Sequence, residues 1–202
     1  MTKTNRFGIM IMVTALVLTL SPNLAYAKSA PKAEGTNNFF ATADALERKA
    51  KTNKNWTLPS KCNDSQAKIL FKAGFNRPGM LRGAWAITWR ESKHQSLTES
   101  SPWFSGALGT WQIQTSAWSG KSWWSRDNML DKGKQSEIVR KHFLNDGMHN
   151  WGHGYSFKND TWHENAGMYY SLWGSSLTYS WVIAPFNTGW SLFPDKCTPK
   201  QN

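Results

Sequence analysis

Residues 78–94, PGMLRGAWAITWRESKH, read as one helix with a carboxylate near its end. Pro78 and Gly79 suit the opening turn, because proline lacks an N–H that the first turn cannot bond anyway. Ala84, Ile87 and Glu91 follow at i, i+3 and i+7, so they share a face, with Trp85 and Trp89 flanking it. That spacing predicts a helix over 78–92 with Glu91 only partly hydrated. The unpaired carbonyls of a helix C-terminus add partial negative charge nearby. Low hydration and negative charge both disfavour an ionised carboxylate, and a carboxylic acid kept protonated can donate a proton. A solvent-facing glutamate paired with Arg90 or Lys93 is the plainer alternative.

The rest of the chain sets the context. Lys3 and Arg6 precede the apolar run IMIMVTALVLTL, residues 9–20, and Ala25-Tyr26-Ala27 has the small-x-small form of a cleavage site. Residues 1–27 are therefore expected to be a signal peptide, and the protein to be secreted. The run is short for a transmembrane segment of roughly 20 residues, and no other stretch qualifies. Residues 28–57 read as a polar leader, with a short helix possible over Phe39–Lys51. Residues 58–202 read as one domain with an aromatic-rich C-terminal portion from about residue 160.

Two of the 24 basic residues and none of the 13 acidic ones lie in the first 27, which leaves a net charge of +9. Such a charge favours polyanionic surfaces through long-range attraction. The Lys and Arg residues form no stripe, which argues against a nucleic-acid partner. Cys62 and Cys197, in an exported chain, are expected to form a disulfide closing almost the whole domain.

Local signals predict further elements. Asp64 should cap a helix running to Lys72, with Gly74 past its end. SSPWFSGALGTWQIQ, residues 100–114, reads as a loop followed by a short hairpin. Residues 128–144 should be mostly helical, with Asp131 as an N-cap. A helix between Trp162 and Trp173 is expected in the aromatic portion. The class is α+β, mainly α. His149/His153 and His163-Glu164 lack a zinc-site pattern, so no metal and no cofactor is expected.

WRES, a polar loop and SGALGTWQIQTSAW together resemble the lysozyme-like superfamily, and in particular its soluble lytic transglycosylase branch. The matching positions are Glu91, Ser92, Gly106, Ala107, Gly109 and Gln112, and the likeness extends over roughly residues 62–158. It implies a lysozyme-like fold with a small β-hairpin beside an active-site cleft, and peptidoglycan glycan strands as the partner of a monomeric enzyme. Glu91 would be the catalytic acid. Ser92 would hold a substrate group or cap backbone, and the 106–109 turn and Gln112 would line the cleft. Trp111 stands where the family often has an apolar Leu-Met pair, and is expected to line the cleft too. The nearest counterpart of the family's later Ala-Tyr-Asn-Ala-Gly element is PFNTG, residues 185–189, so Phe186 and Asn187 would help fix Glu91.

Most glycosidases use two carboxylates. Glu99, Asp127, Asp131 and Glu137 follow Glu91, and none has clear support as a second acid. The resemblance therefore implies lytic transglycosylation with one Glu. A hydrolytic muramidase and a non-catalytic wall-glycan-binding protein are the alternatives.

Overall fold

The structure is a computed structural model that describes residues 55–97, 106–144 and 148–202. The signal peptide expected over 1–27, the helix expected over 39–51, and Glu99 lie outside these residues.

Helix α1 (Ser65–Lys72) begins where Asp64 accepts a hydrogen bond from the Ala67 N–H at 2.7 Å. The same carboxylate oxygen accepts from Trp85 Nε1 at 3.1 Å, which fastens α1 to helix α2 (Pro78–Ser92). Helix α2 is the axis of the domain. Leu81, Ala84 and Ile87 on it are fully buried, and truncating a buried Ile to Ala costs about 2–5 kcal/mol. Arg77, at its N-cap, supplies no side-chain cap. The free N–H groups of Gly79 and Met80 instead bond the carboxylate of Asp160, at 2.9 and 3.0 Å, from eighty residues away. Lys93 ends the helix in the left-handed region at φ 53°.

Strands β2 (Ala107–Leu108) and β3 (Ile113–Gln114) form the expected hairpin, with Ala107 opposite Gln114 and Leu108 opposite Ile113. Gly109 turns it at φ 74°, and a Cβ there would lie 1.9 Å from the Met129 carbonyl oxygen. The short helices α3 (Thr115–Trp118) and α4 (Arg126–Leu130) lead to α5 (Lys132–His142). Asp131 ends α4 and caps α5 by accepting from the Lys134 N–H at 2.8 Å, as expected.

The aromatic portion departs from expectation at Trp162. Strands β4 (His153–Ser156) and β5 (Thr161–Glu164) form an antiparallel hairpin that places Trp162 opposite Tyr155. The Trp162 ring lies on Gly83 and donates to the Gly79 carbonyl at 2.8 Å, so the hairpin sits on α2. Helix α6 starts only at Gly167 and runs to Thr178, kinked at Gly174 (φ 75°, ψ 172°). A π-helical turn (Tyr179–Ile183) joins it to α7 (Ala184–Leu192), which packs along α2 with Gly189 permitting close approach to Ala86.

The ends meet. Strand β1 (Trp56–Thr57) pairs with β6 (Lys200–Gln201), and Cys62 and Cys197 form a disulfide across a sequence separation of 135. The domain is mainly α with three two-stranded sheets among the described residues. No helix among them is long and apolar enough to cross a membrane.

Candidate active site

The last turn of α2 opens into a cleft of about 570 Å³. The β2–β3 hairpin supplies one side, with Ala107, Gln112 and Ile113 in its lining. Residues 150–151 and the segment from Met168 to Val182 supply the other. Trp118, Phe143, Trp151, Tyr169, Trp173 and Trp181 give the lining an aromatic character.

Glu91 is the one carboxylate in this lining among the described residues. Its side chain is 24 % exposed, in keeping with a position at the edge of the helix's buried face. Its partner is Arg90, whose side chain is only 7 % exposed. Arg90 Nε donates to Glu91 Oε1 at 2.9 Å, and Nη2 donates to the same oxygen. The plainer sequence alternative, an Arg90 pair, is therefore present, but inside the cleft rather than in open solvent. Oε2 of Glu91 has no hydrogen-bond donor among the described residues.

Arg90 does more than pair. Its Nη1 donates to the carbonyls of Trp151 at 2.9 Å and Val182 at 3.3 Å. One guanidinium thus joins the end of α2, the 3-10 turn that precedes β4 and the π turn. Tyr169 braces the same wall, its hydroxyl donating to the Asn150 carbonyl at 2.5 Å, and burial raises the phenol pKa. Behind Arg90, His153 Nδ1 lies 2.9 Å from the Trp151 carbonyl, which requires the proton on that nitrogen. Burial, reinforced by the Arg90 charge, pushes the His153 pKa down to about 4, so the ring is neutral near pH 7.

Four of the expected site residues lie away from Glu91's open side. Trp111 does not line the cleft. It is fully buried, stacked on Phe75 with ring centres 5.4 Å apart, and its Nε1 donates to Ser136 Oγ at 3.0 Å. A polar indole edge satisfied inside the core needs no sugar. Ser92 is also buried. Its hydroxyl lies 2.9 Å from the Thr110 carbonyl and 3.1 Å from that of Thr88, so of its two expected roles it takes the backbone-bonding one and pins the hairpin to α2. Phe186 stacks on the His153 ring at 3.8 Å and, with the exposed Asn187, borders a separate recess of about 190 Å³. Neither holds Glu91; Arg90 does.

The remaining residues fall where the hairpin needs them. The Gly106 carbonyl accepts from both the N–H and Oγ1 of Thr115, at 2.7 and 2.6 Å, with φ 97° at Gly106. Gln112, at φ 52°, lines the cleft and donates through Nε2 to the Gly109 carbonyl at 2.7 Å. Gln135, buried below, donates to the Leu108 carbonyl and accepts from the Trp111 N–H, which satisfies the turn from inside. The sequence offers Arg90 only as a solvent-side partner of Glu91, and Tyr169, Trp173 and Trp181 were not among the expected site residues. Tyr169 and Trp173, four apart on a helix, were the available signal.

No family's sequence pattern, curated protein or solved structure matches the chain.

Proposed function

We propose that this protein is a secreted enzyme of the lysozyme-like type that cleaves peptidoglycan glycan strands, with Glu91 as its acid and base. The observation that carries the proposal is a single cleft carboxylate, among the described residues, set between aromatic walls. Aromatic rings suit the apolar faces of pyranose sugars. Asp131 is occupied as a helix cap, and Glu137 pairs with Lys134 on the surface. Neither they nor Asp127 lines the cleft.

One carboxylate suffices for lytic transglycosylation. Glu91 first donates a proton to the glycosidic oxygen as the bond between that oxygen and C1 of N-acetylmuramic acid breaks. The resulting carboxylate then takes the proton of the sugar's own 6-hydroxyl while O6 bonds to C1. The products are a free 4-hydroxyl and a 1,6-anhydromuramyl end, and water is neither consumed nor released. Arg90 holds Oε1, which leaves Oε2 to exchange the proton.

Mass spectrometry of soluble products from purified peptidoglycan tests this, with a folded Glu91→Gln variant beside the wild type. Anhydromuramyl ends that disappear in the variant are the expected result. Reducing muramic acid ends would mean hydrolysis, with Glu99 the first residue to test as a second acid. No glycan products from folded wild type would refute cleavage and leave a glycan-binding protein.

A further inference from the structure

Residues 165–194 contain no Asp, Glu, Lys or Arg, so the other 172 residues hold all 37 of these charged side chains. The same segment contains every exposed large apolar side chain among the described residues: Met168, Leu172, Leu177, Tyr179, Trp181 and Leu192, between 43 and 67 % exposed. Its first part also packs separately. Ala166, Val182 and Ile183, with Tyr169, Tyr170 and Trp173 against them, form a small apolar cluster distinct from the main core.

The cleft accounts for only half of this exposure. Met168, Leu172 and Trp181 belong to the cleft lining, where a sugar would cover them. Leu177, Tyr179 and Leu192 do not. Protein interfaces are enriched in Arg as well as aromatics, whereas the aromatic belt of a lipid–water interface is enriched in Trp and Tyr. A segment with exposed Tyr179, Trp181 and leucines, filled with Ser, Gly and Thr and without one charge, has the second composition. The rest of the chain carries the complementary attraction, a net charge of +9 without residues 1–27, that draws it to anionic headgroups.

We propose that the segment from α6 to the end of α7 docks on an anionic lipid surface, with Leu177, Tyr179 and Leu192 entering the headgroup region. The inference does not depend on glycan cleavage. It places the mouth of the Glu91 cleft close to a bilayer, because one wall of the cleft belongs to the docking segment.

The test is co-sedimentation of the exported chain, shown by intact mass to lack residues 9–20, with vesicles of equal phosphatidylglycerol and phosphatidylcholine or of phosphatidylcholine alone. The neutral variant Leu177→Gln/Tyr179→Gln/Leu192→Gln alters only exposed side chains outside the cleft and leaves net charge unchanged. The expected results are binding to the anionic vesicles, quenching of tryptophan fluorescence by brominated lipid, and at least tenfold weaker partitioning of the variant. No binding to anionic vesicles overturns the proposal. So does binding that the variant retains in full, since charge alone then explains it. Self-association of the wild type in sedimentation velocity, lost in the variant without vesicle binding by either, overturns it in favour of a second copy. Peptidoglycan cleavage, measured separately, reports on Glu91 and not on this surface.

Discussion

Replacing Arg90 with Gln should destabilise the domain more than replacing Glu91 with Gln, although each removes one half of the same ion pair. In Glu91→Gln, the amide oxygen can still accept from Arg90, and the guanidinium keeps its bonds to the Trp151 and Val182 carbonyls. What is lost is the charge on the acceptor, and Glu91 is a quarter exposed, so about 1–2 kcal/mol is expected. In Arg90→Gln the shorter side chain also abandons two carbonyls belonging to buried residues. The Trp151 carbonyl keeps its bond from His153, but each hydrogen bond from a charged donor contributes roughly 1.5–3 kcal/mol, and losing two brings the total to about 3–5 kcal/mol. For a domain of this size the two variants should differ in Tm by roughly 4–8 °C, at about 2–4 °C per kcal/mol. Urea denaturation of both single variants and of the double variant measures the costs and their coupling. Equal losses, or an Arg90→Gln loss under about 1 kcal/mol, would show that Arg90 is a surface partner of Glu91 and not the post joining three elements.

Two further outcomes follow from the same wall and from the hairpin. His153 faces Arg90, His163, the Trp151 carbonyl and the Phe186 ring, and its folded pKa lies near 4 against 6.5 when unfolded. Between those values the unfolded chain binds a proton that the folded one does not, so stability should fall as pH drops from 6.5 to 4 and stay level above 6.5. The full loss is about 3 kcal/mol, of which about 2 kcal/mol falls between pH 7 and pH 5, and urea denaturation at those two pH values should show a pH dependence larger in the wild type than in His153→Gln by that amount. Gly109→Ala puts a Cβ 1.9 Å from the Met129 carbonyl oxygen and 2.4 Å from Gln135 Oε1, at a positive φ. It should cost over about 3 kcal/mol in urea denaturation; a cost near 1 kcal/mol would mean that the hairpin and α4 yield easily.

The parts of the fold that could be read from sequence are those set by neighbours along the chain. Helix α1 with its Asp64 cap, α2 over 78–92, and Asp131 as a cap all rest on signals within four residues, and each appears as expected. The disulfide was legible for a different reason, since two cysteines in a chain expected to be exported have one intramolecular pairing. Trp162 was misassigned because its strand is defined by a partner and by Gly83, not by local period. The Lys158-Asn159-Asp160 stretch between β4 and β5 was a turn signal that aromatic density obscured. Glu91 itself was legible from periodicity, whereas its dependence on Arg90 was not. Adjacent helix residues do not normally face one another, and here the guanidinium is held in place by carbonyls sixty-one and ninety-two residues away. Trp111 failed in the opposite sense, because a tryptophan in a turn-rich stretch suggests a surface until Phe75, Ser136 and Trp151 close around it.

The joined ends of the domain have a mechanical meaning. The Asn202 N–H bonds the Asn55 carbonyl at 3.2 Å, the terminal strands pair, and Cys62 is bridged to Cys197. Tension applied between residue 55 and residue 202 first unzips the β1–β6 pair and then reaches a covalent bond. The helices and hairpins between Cys62 and Cys197 lie outside that line of force. A domain held at one end and pulled at the other would keep its cleft shaped for as long as the sulfur bridge stayed oxidised.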